Sequence, residues 1–399
     1  MATFNSLGSN YSWKWVWHSL VARARSGSSE QLVKVLGEHY SGQATLTYKG
    51  REALEVALRQ SGLPLGSIIG INGFTCYAVY RAVENAGYKA IPIDITPGQL
   101  NFGLTELRHF HNKQPDLRAI IIQNTLGYLA EMMELYNYCQ KAGLLIVEDL
   151  AHSTGAIYAG GRETGTIGAF TMLSFSQDKP LDVVAGGAVI DRRSIKANKI
   201  DLVPNISSAQ RLKNRLYPFW SSLIRALYPI GLGRLLHFGL KKLNLMATPM
   251  SDDLEGLHSM SNLTAGLVLD RWQNRGLEFQ HRRGIAAVYA QQLPVDLQSL
   301  HSAGGTPTYL RYPIWVENRQ SLIDYLRSHR IFVGDTWYDA PIGPKKYLSL
   351  TNYQAGSCPN AESLTRHIVN LPTHLNVSPE VASNICAKIK QWQALQQKT

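Results

Sequence analysis

Lys179 lies in the stretch SFSQDKPLDVVAGG (174–187), five residues after Ser174 and shortly before the small residues Ala185, Gly186 and Gly187. A lysine of a globular protein is ordinarily a solvated surface charge, but an amine held in a site can bond covalently to a carbonyl carbon. Two more features bear on that choice. Asp149 closes the run LLIVED (144–149) with a carboxylate, and YKGREAL (48–54) passes through Gly50 into a helix start. The free N–H groups of such a start suit an anion such as phosphate, and the glycines at 186 and 187 let backbone come close to whatever fills the site. Alone, each feature has an ordinary reading: Asp149 as a helix N-cap, Lys179 as a surface charge, Gly50 as a turn. In this order along the chain they are the parts of a pyridoxal 5'-phosphate site. There the lysine carries the aldehyde as a Schiff base, the carboxylate keeps the pyridine nitrogen protonated, and the helix end holds the phosphate.

Such residues need a frame that brings them to one edge. SIIGI (67–71), KAIPIDI (89–95), RAIIIQN (118–124) and LLIVED read as strands, with helical periodicity over 50–62, 76–87, 104–112 and 129–143. Strand and helix alternating at this spacing predict βαβ units and a largely parallel sheet covered on both faces. Ligands of open parallel sheets bind beyond the carboxyl ends of the strands. Gly73 to Cys76, Asn124 to Gly127, Asp149 to His152 and SFSQDK all fall there.

A chain of 399 residues with 45% hydrophobic and 17% charged residues is globular and long enough for more than one domain. The net charge of +11 is local. Between Asp201 and Asp252 there is no acidic residue, while seven Lys and Arg side chains fall there. The rest carries an ordinary balance, so nucleic-acid binding is not needed to explain the charge. Four scattered cysteines without CxxC spacing suggest neither a disulfide framework nor a zinc site. With no secretory-type start and no apolar stretch long enough for a bilayer, a reducing cytoplasm is the expected home.

GREAL (50–54), GFTCYAVYRAVENAGYKAIPIDI (73–95), VEDLAHSTGA (147–156) and SFSQDKPLDVVAGGAV (174–189) together resemble the DegT/DnrJ/EryC1/StrS family of pyridoxal-phosphate-dependent sugar aminotransferases. SLIDYLRSHRIFVGDTW (321–337), CPNAESLTRHIVNLPTH (358–374) and the SPE that opens the last helix continue the likeness. The resemblance implies a fold-type I α/β protein with a mostly parallel seven-stranded sheet and a small C-terminal α/β domain, working as a homodimer. It assigns Lys179 to the Schiff base and proton transfer, Asp149 to the pyridinium nitrogen, and His152 to the cofactor's phenolic oxygen. Ser174 and the backbone of Gly50, Arg51 and Glu52 would take the phosphate. Three departures stand out. Arg51 and Glu52 replace a small pair in the phosphate loop, where Arg51 can add a charge-assisted bond and Glu52 must point away. Cys76, with Tyr77 next, occupies the place of a ring-stacking aromatic. The family's G-Y-N-x-R-M element, through which a partner subunit reaches the phosphate, is reduced to GLHSMSN (256–262).

The expected division is an N-terminal arm (1–44), a large cofactor-binding domain (45–204), a basic insertion (205–250) and a small domain (251–399). The insertion reads as two or three short helical pieces broken at prolines and glycines. It packs on the core or a dimer interface, lies on an anionic membrane at the inner face, or brings a few of its arginines to the diphosphate of a phosphate-rich substrate. Trp13, Trp15 and Trp17 alternate, which fits a strand-like arm or a single helical turn. The expected activity is transfer of an amino group from an amino acid, glutamate being the natural donor, to a keto-sugar, most simply a nucleotide-linked one. Its partners are those small molecules and a second subunit. Two alternatives stay open: a non-catalytic or regulatory protein of this fold, and a sugar dehydratase, which in this family replaces the Schiff-base lysine by histidine.

Overall fold

The computed structural model describes residues 2–193, 200–204, 206–248, 256–334 and 337–397. A short strand β1 (Thr3–Phe4) and helices α1 (Trp13–Val21) and α2 (Ser28–Tyr40) come first. Then follow β2 (Gln43–Thr47), α3 (Gly50–Arg59), β3 (Ile68–Asn72), β4 (Thr75–Cys76), α4 (Tyr77–Asn85), β5 (Lys89–Ile93) and α5 (Leu104–Lys113). The series continues through β6 (Leu117–Ile122), α6 (Met132–Ala142), β7 (Leu145–Asp149), β8 (Phe170–Ser174) and β9 (Gly187–Asp191). Seven strands form one sheet in the order β2-β9-β8-β7-β6-β3-β5. Strands β3, β5, β6, β7 and β8 run parallel, and β9 is antiparallel to both neighbours. The α/β sheet expected from the sequence is present.

Side chains of β6 alternate between two cores, which is why its apolar run is unbroken. Ile121 joins Leu54, Val56 and Val83 from α3 and α4, whereas Ile120 and Ile122 join Leu107, Leu135 and Cys139 from α5 and α6. Glu148 of β7 points into the second, dry side and is fully buried. Its carboxylate accepts N–H bonds from Gly165 (2.7 Å), Ile167 (2.8 Å) and Gly168 (2.7 Å), a bond from the Tyr158 hydroxyl (3.0 Å), and faces the Arg192 guanidinium at 3.5 Å. One side chain thus folds the 163–168 loop back under the strand that carries Asp149.

The basic segment forms two helices, α7 (Ser208–Leu227) and α8 (Leu232–Lys242). Pro218 does not break α7, contrary to the expectation of short pieces. A proline inside a helix costs about 3 kcal/mol, and here burial of Tyr217, Pro218 and Ile224 against Tyr11, Val16, Leu240 and Met246 offsets it. The outer bounds of this segment, 205 and 250, lie outside the described residues. The tryptophan alternation also misleads as a strand signal: Ser12 caps α1 through the Trp15 N–H (3.2 Å), and only Trp15 turns inward, its indole under Arg271 at 3.9 Å.

Helices α9 (Asn262–Gln273) and α10 (Arg275–Gln292) lead to β10 (Arg311–Trp315), α11 (Arg319–Ser328), β11 (Ile331–Phe332) and β12 (Ile342–Gly343). The chain ends through α12 (Pro359–His367), β13 (Ile368–Pro372) and α13 (Pro379–Gln396), the last capped by Ser378 as the sequence predicts. β10 pairs antiparallel with β13 beneath Tyr289, Leu322 and Ile385. Two short parallel pairings sew this unit to the rest: β1 to β11, and β12 to β4 at the mouth of the sheet.

Glu148→Ala removes the acceptor of three buried N–H groups and the partner of Arg192. Loss of one partner from a buried network costs about 3–5 kcal/mol. Chemical denaturation should register a loss of that size, with Glu148→Gln losing less because it keeps an acceptor oxygen.

Candidate active site

The carboxyl ends of β7 and β8, the turn after β3 and the start of α3 surround one cleft. Its deeper part is lined by Asp149, Gln123, Cys76, His152, Ser174 and Lys179, and its outer part adds Lys49, Arg311, Trp337 and Tyr338. Of the residues singled out in the sequence, Gly50, Arg51, Cys76, Asp149, His152, Ser174 and Lys179 meet here. Glu52 and Tyr77 do not line it. Glu52 accepts the N–H groups of Tyr48 (3.3 Å) and His258 (3.0 Å), so it points away from the cleft as the charge argument required. Tyr77 is the first residue of α4, and its ring stacks on Tyr347 at 5.0 Å.

Lys179 Nζ and His152 Nε2 stand 3.2 Å apart. The Leu126 N–H donates to His152 Nδ1 (3.2 Å), which leaves Nε2 as the ring nitrogen that faces Lys179. Burial, with the charges of Lys179 and Arg311, holds the imidazole well below its usual protonation range, so neutral is its state near pH 7. The lysine nitrogen therefore has a neutral imidazole beside it. Asp149 receives one backbone bond, from the Ala151 N–H to Oδ1 (2.8 Å). Burial pushes its carboxyl up to about 6, against the opposing pull of that N–H and of Lys179. A cationic ring nitrogen placed beside it would supply the charge that this carboxylate otherwise lacks.

At the other end of the cleft, Lys49 is the extended N-cap of α3 and Gly50 its first residue. A Cβ on Gly50 would lie 2.6 Å from Ser174 Cβ, and one on Gly187 would lie 2.4 Å from the Lys49 carbonyl oxygen. Only glycines let β8, β9 and the helix start close together, so the glycine run serves this internal contact between segments of the chain. The N–H groups at the start of α3, the Ser174 hydroxyl, Lys49 and Arg51 make a cradle for a dianion. These groups fit pyridoxal phosphate: an amine, a carboxylate short of donors, and a cationic cradle in one cleft.

Sequence reasoning missed Lys49, Arg311, Trp337 and Tyr338. Lys49 adjoined a motif already in view. Arg311 lies on β10, and nothing local marks it as a cleft residue, although it is 4% exposed there. The contact of the N-terminal arm with the lysine loop was missed as well: Asn10 Nδ2 donates to the Lys179 carbonyl (3.1 Å), and the Tyr11 hydroxyl donates to Asp182 in the same loop.

A family model described as the DegT/DnrJ/EryC1/StrS aminotransferase family matches residues 29–390. A dTDP-3-amino-3,4,6-trideoxy-alpha-D-glucose transaminase of Streptomyces venezuelae is 25% identical over 346 residues, 86% of this chain and 81% of that protein. A Geobacillus stearothermophilus protein named pleiotropic regulatory protein is 22% identical over 349 residues, 86% of this chain and 83% of its own length. Among solved structures, S. venezuelae DesV in complex with a ketimine intermediate is similar in fold, with a TM-score of 0.71, 19% identity and 94% of each chain covered.

Because the Asp149 carboxyl is raised to about 6, it is ionised above that pH and neutral below. Capture of pyridoxal phosphate by the purified protein should weaken as pH falls through 6, approaching tenfold per unit. Cofactor titrations followed by absorbance at successive pH values measure this, and the step should vanish in Asp149→Asn.

Proposed function

This chain belongs to the DegT/DnrJ/EryC1/StrS aminotransferase family, whose members depend on pyridoxal phosphate, and from that premise we propose that it moves an amino group from glutamate to a nucleotide-linked keto-sugar. The observation that carries this reading is a second chamber of about 590 Å³ that adjoins the Lys179 cleft, with Ser6, Gln177, Asp178 and Trp337 lining both. Its other walls include Tyr217, Tyr228 and Tyr347, whose ring faces suit a sugar, and Lys241, Arg327 and Lys346, whose charges suit phosphates. A site for amino acids alone would not need that volume or those cations.

Bound in the cleft, pyridoxal phosphate supplies an electron-accepting ring that lets a proton leave the carbon bearing nitrogen. Lys179 Nζ is the base and acid that takes that proton and returns it, in both halves of the exchange. His152, with Nε2 3.2 Å from Nζ, flanks the lysine. Asp149 would hold the ring nitrogen, and Ser174 with the start of α3 would hold the phosphate. Arg311, buried and with Nη1 anchored on the Leu310 carbonyl (2.8 Å), is the cation placed to receive the donor's carboxylate. The family resemblance supports a homodimeric working unit.

Visible absorbance of the protein with pyridoxal phosphate is the first test. A band that depends on Lys179, changes on adding glutamate and returns on adding a keto-sugar nucleotide is the expected result. Lys179→Ala should lack the responsive band and lose about 10³-fold or more in turnover. Arg311→Ala should raise the KM for glutamate about 10–100-fold, the worth of a charged hydrogen bond, with little change in the KM for the sugar. No band in either protein would defeat the reading.

A further inference from the structure

Helix α8 packs inward through Gly233 and Leu240, and its other side is open. Leu232, Leu235 and Phe238, at three-residue spacing, are 52%, 69% and 65% exposed. Ile230 before the helix and Leu243 after it are each 68% exposed. Large apolar side chains concentrated in this way are not ordinary surface scatter. Arg234 and Lys242 are interleaved with them, and no acidic residue occurs anywhere from 202 to 251.

We infer that this face of α8 docks on an anionic lipid surface. Charge decides between the possible occupants. A second copy meeting the face by two-fold symmetry would set the basic patch against itself, with no carboxylate in the segment to answer it. Anionic headgroups complement the cations, while the leucines and Phe238 reach the acyl boundary. The neighbouring helix adds a second sign. α1 packs on α7 and α7 on α8, and α1 exposes Trp13, Trp17 and Val21 at four-residue spacing. Indoles favour the headgroup level. Among the described residues no helix is long and apolar enough to cross a membrane, so this layer would lie on one. The opposite side of the same segment lines the chamber through Tyr217, His237 and Lys241, so docking would hold the chamber close to the headgroups.

The test is flotation of the full chain with vesicles of phosphatidylcholine mixed with phosphatidylglycerol, beside vesicles of phosphatidylcholine alone. Binding to the mixed vesicles only, falling as salt rises, is expected. Arg234→Ser and Lys242→Ser should each weaken it about fivefold, and Leu235→Ser with Phe238→Ser should weaken it more than tenfold. Unchanged thermal unfolding confirms that these variants stay folded, whatever the outcome of the transamination assay. Equal binding to both vesicles, binding to neither, or self-association of the wild type that the Leu235/Phe238 variant abolishes without any vesicle binding, would each overturn the inference.

Discussion

A carboxylate taken out of water must be met by donors or surrender its charge. Four buried carboxyl groups govern how this protein is put together, and they differ in how completely they are met. Glu148 collects three N–H groups and a hydroxyl and fixes the 163–168 loop. Asp182 takes the N–H groups of Asp178 (2.7 Å) and Val184 (2.8 Å) and the Tyr11 hydroxyl, which shapes the lysine loop. Glu52 ties the start of α3 to residue 258. Burial still pushes Asp182 and Glu52 to about 7, so these internal bonds only partly repay the lost water. Asp149 has one backbone donor among the described residues. Three of these build the frame, and Asp149 faces the cleft.

Much of that frame was legible in the sequence because it follows from local pattern. The apolar runs fixed the strands, and the strand ends placed Asp149, Ser174 and Lys179 at one edge in the right order. The donors that satisfy these groups were not legible. Asn10 reaches Lys179 across 169 positions and Arg282 reaches Asn10 across 272, separations that no local periodicity encodes. Local pattern also misplaced side chains where helix starts decide direction. Cys76 is the N-cap of α4, its Sγ accepting the Ala78 N–H (3.4 Å), so Cys76 turns into the cleft and Tyr77 turns out. The tryptophans of α1 alternate in sequence, yet Ser12 caps a helix there and splits them between core and surface.

The basic segment illustrates how one insertion can serve two environments. Helix α7 buries aromatic residues against the N-terminal arm, while its partner α8 exposes leucines. Sequence reading offered packing and surface as alternatives, but the two faces divide them. A segment built this way supplies walls of the chamber and also reaches the lysine loop, where Gln177 donates to the Ala247 carbonyl (3.2 Å).

The arm that clasps the lysine loop is itself held from the far end of the chain: Asn376 donates to the carbonyls of Ser9 (2.6 Å) and Tyr11 (3.0 Å). Ribosomes add roughly 5–20 residues per second, so the arm waits on the order of tens of seconds before its anchor exists. During that interval the sheet can form, but Lys179 lacks the support that sets its position. A nascent chain stalled short of Asn376 would carry every residue of the cleft and still hold it loosely. Lys179 is set last.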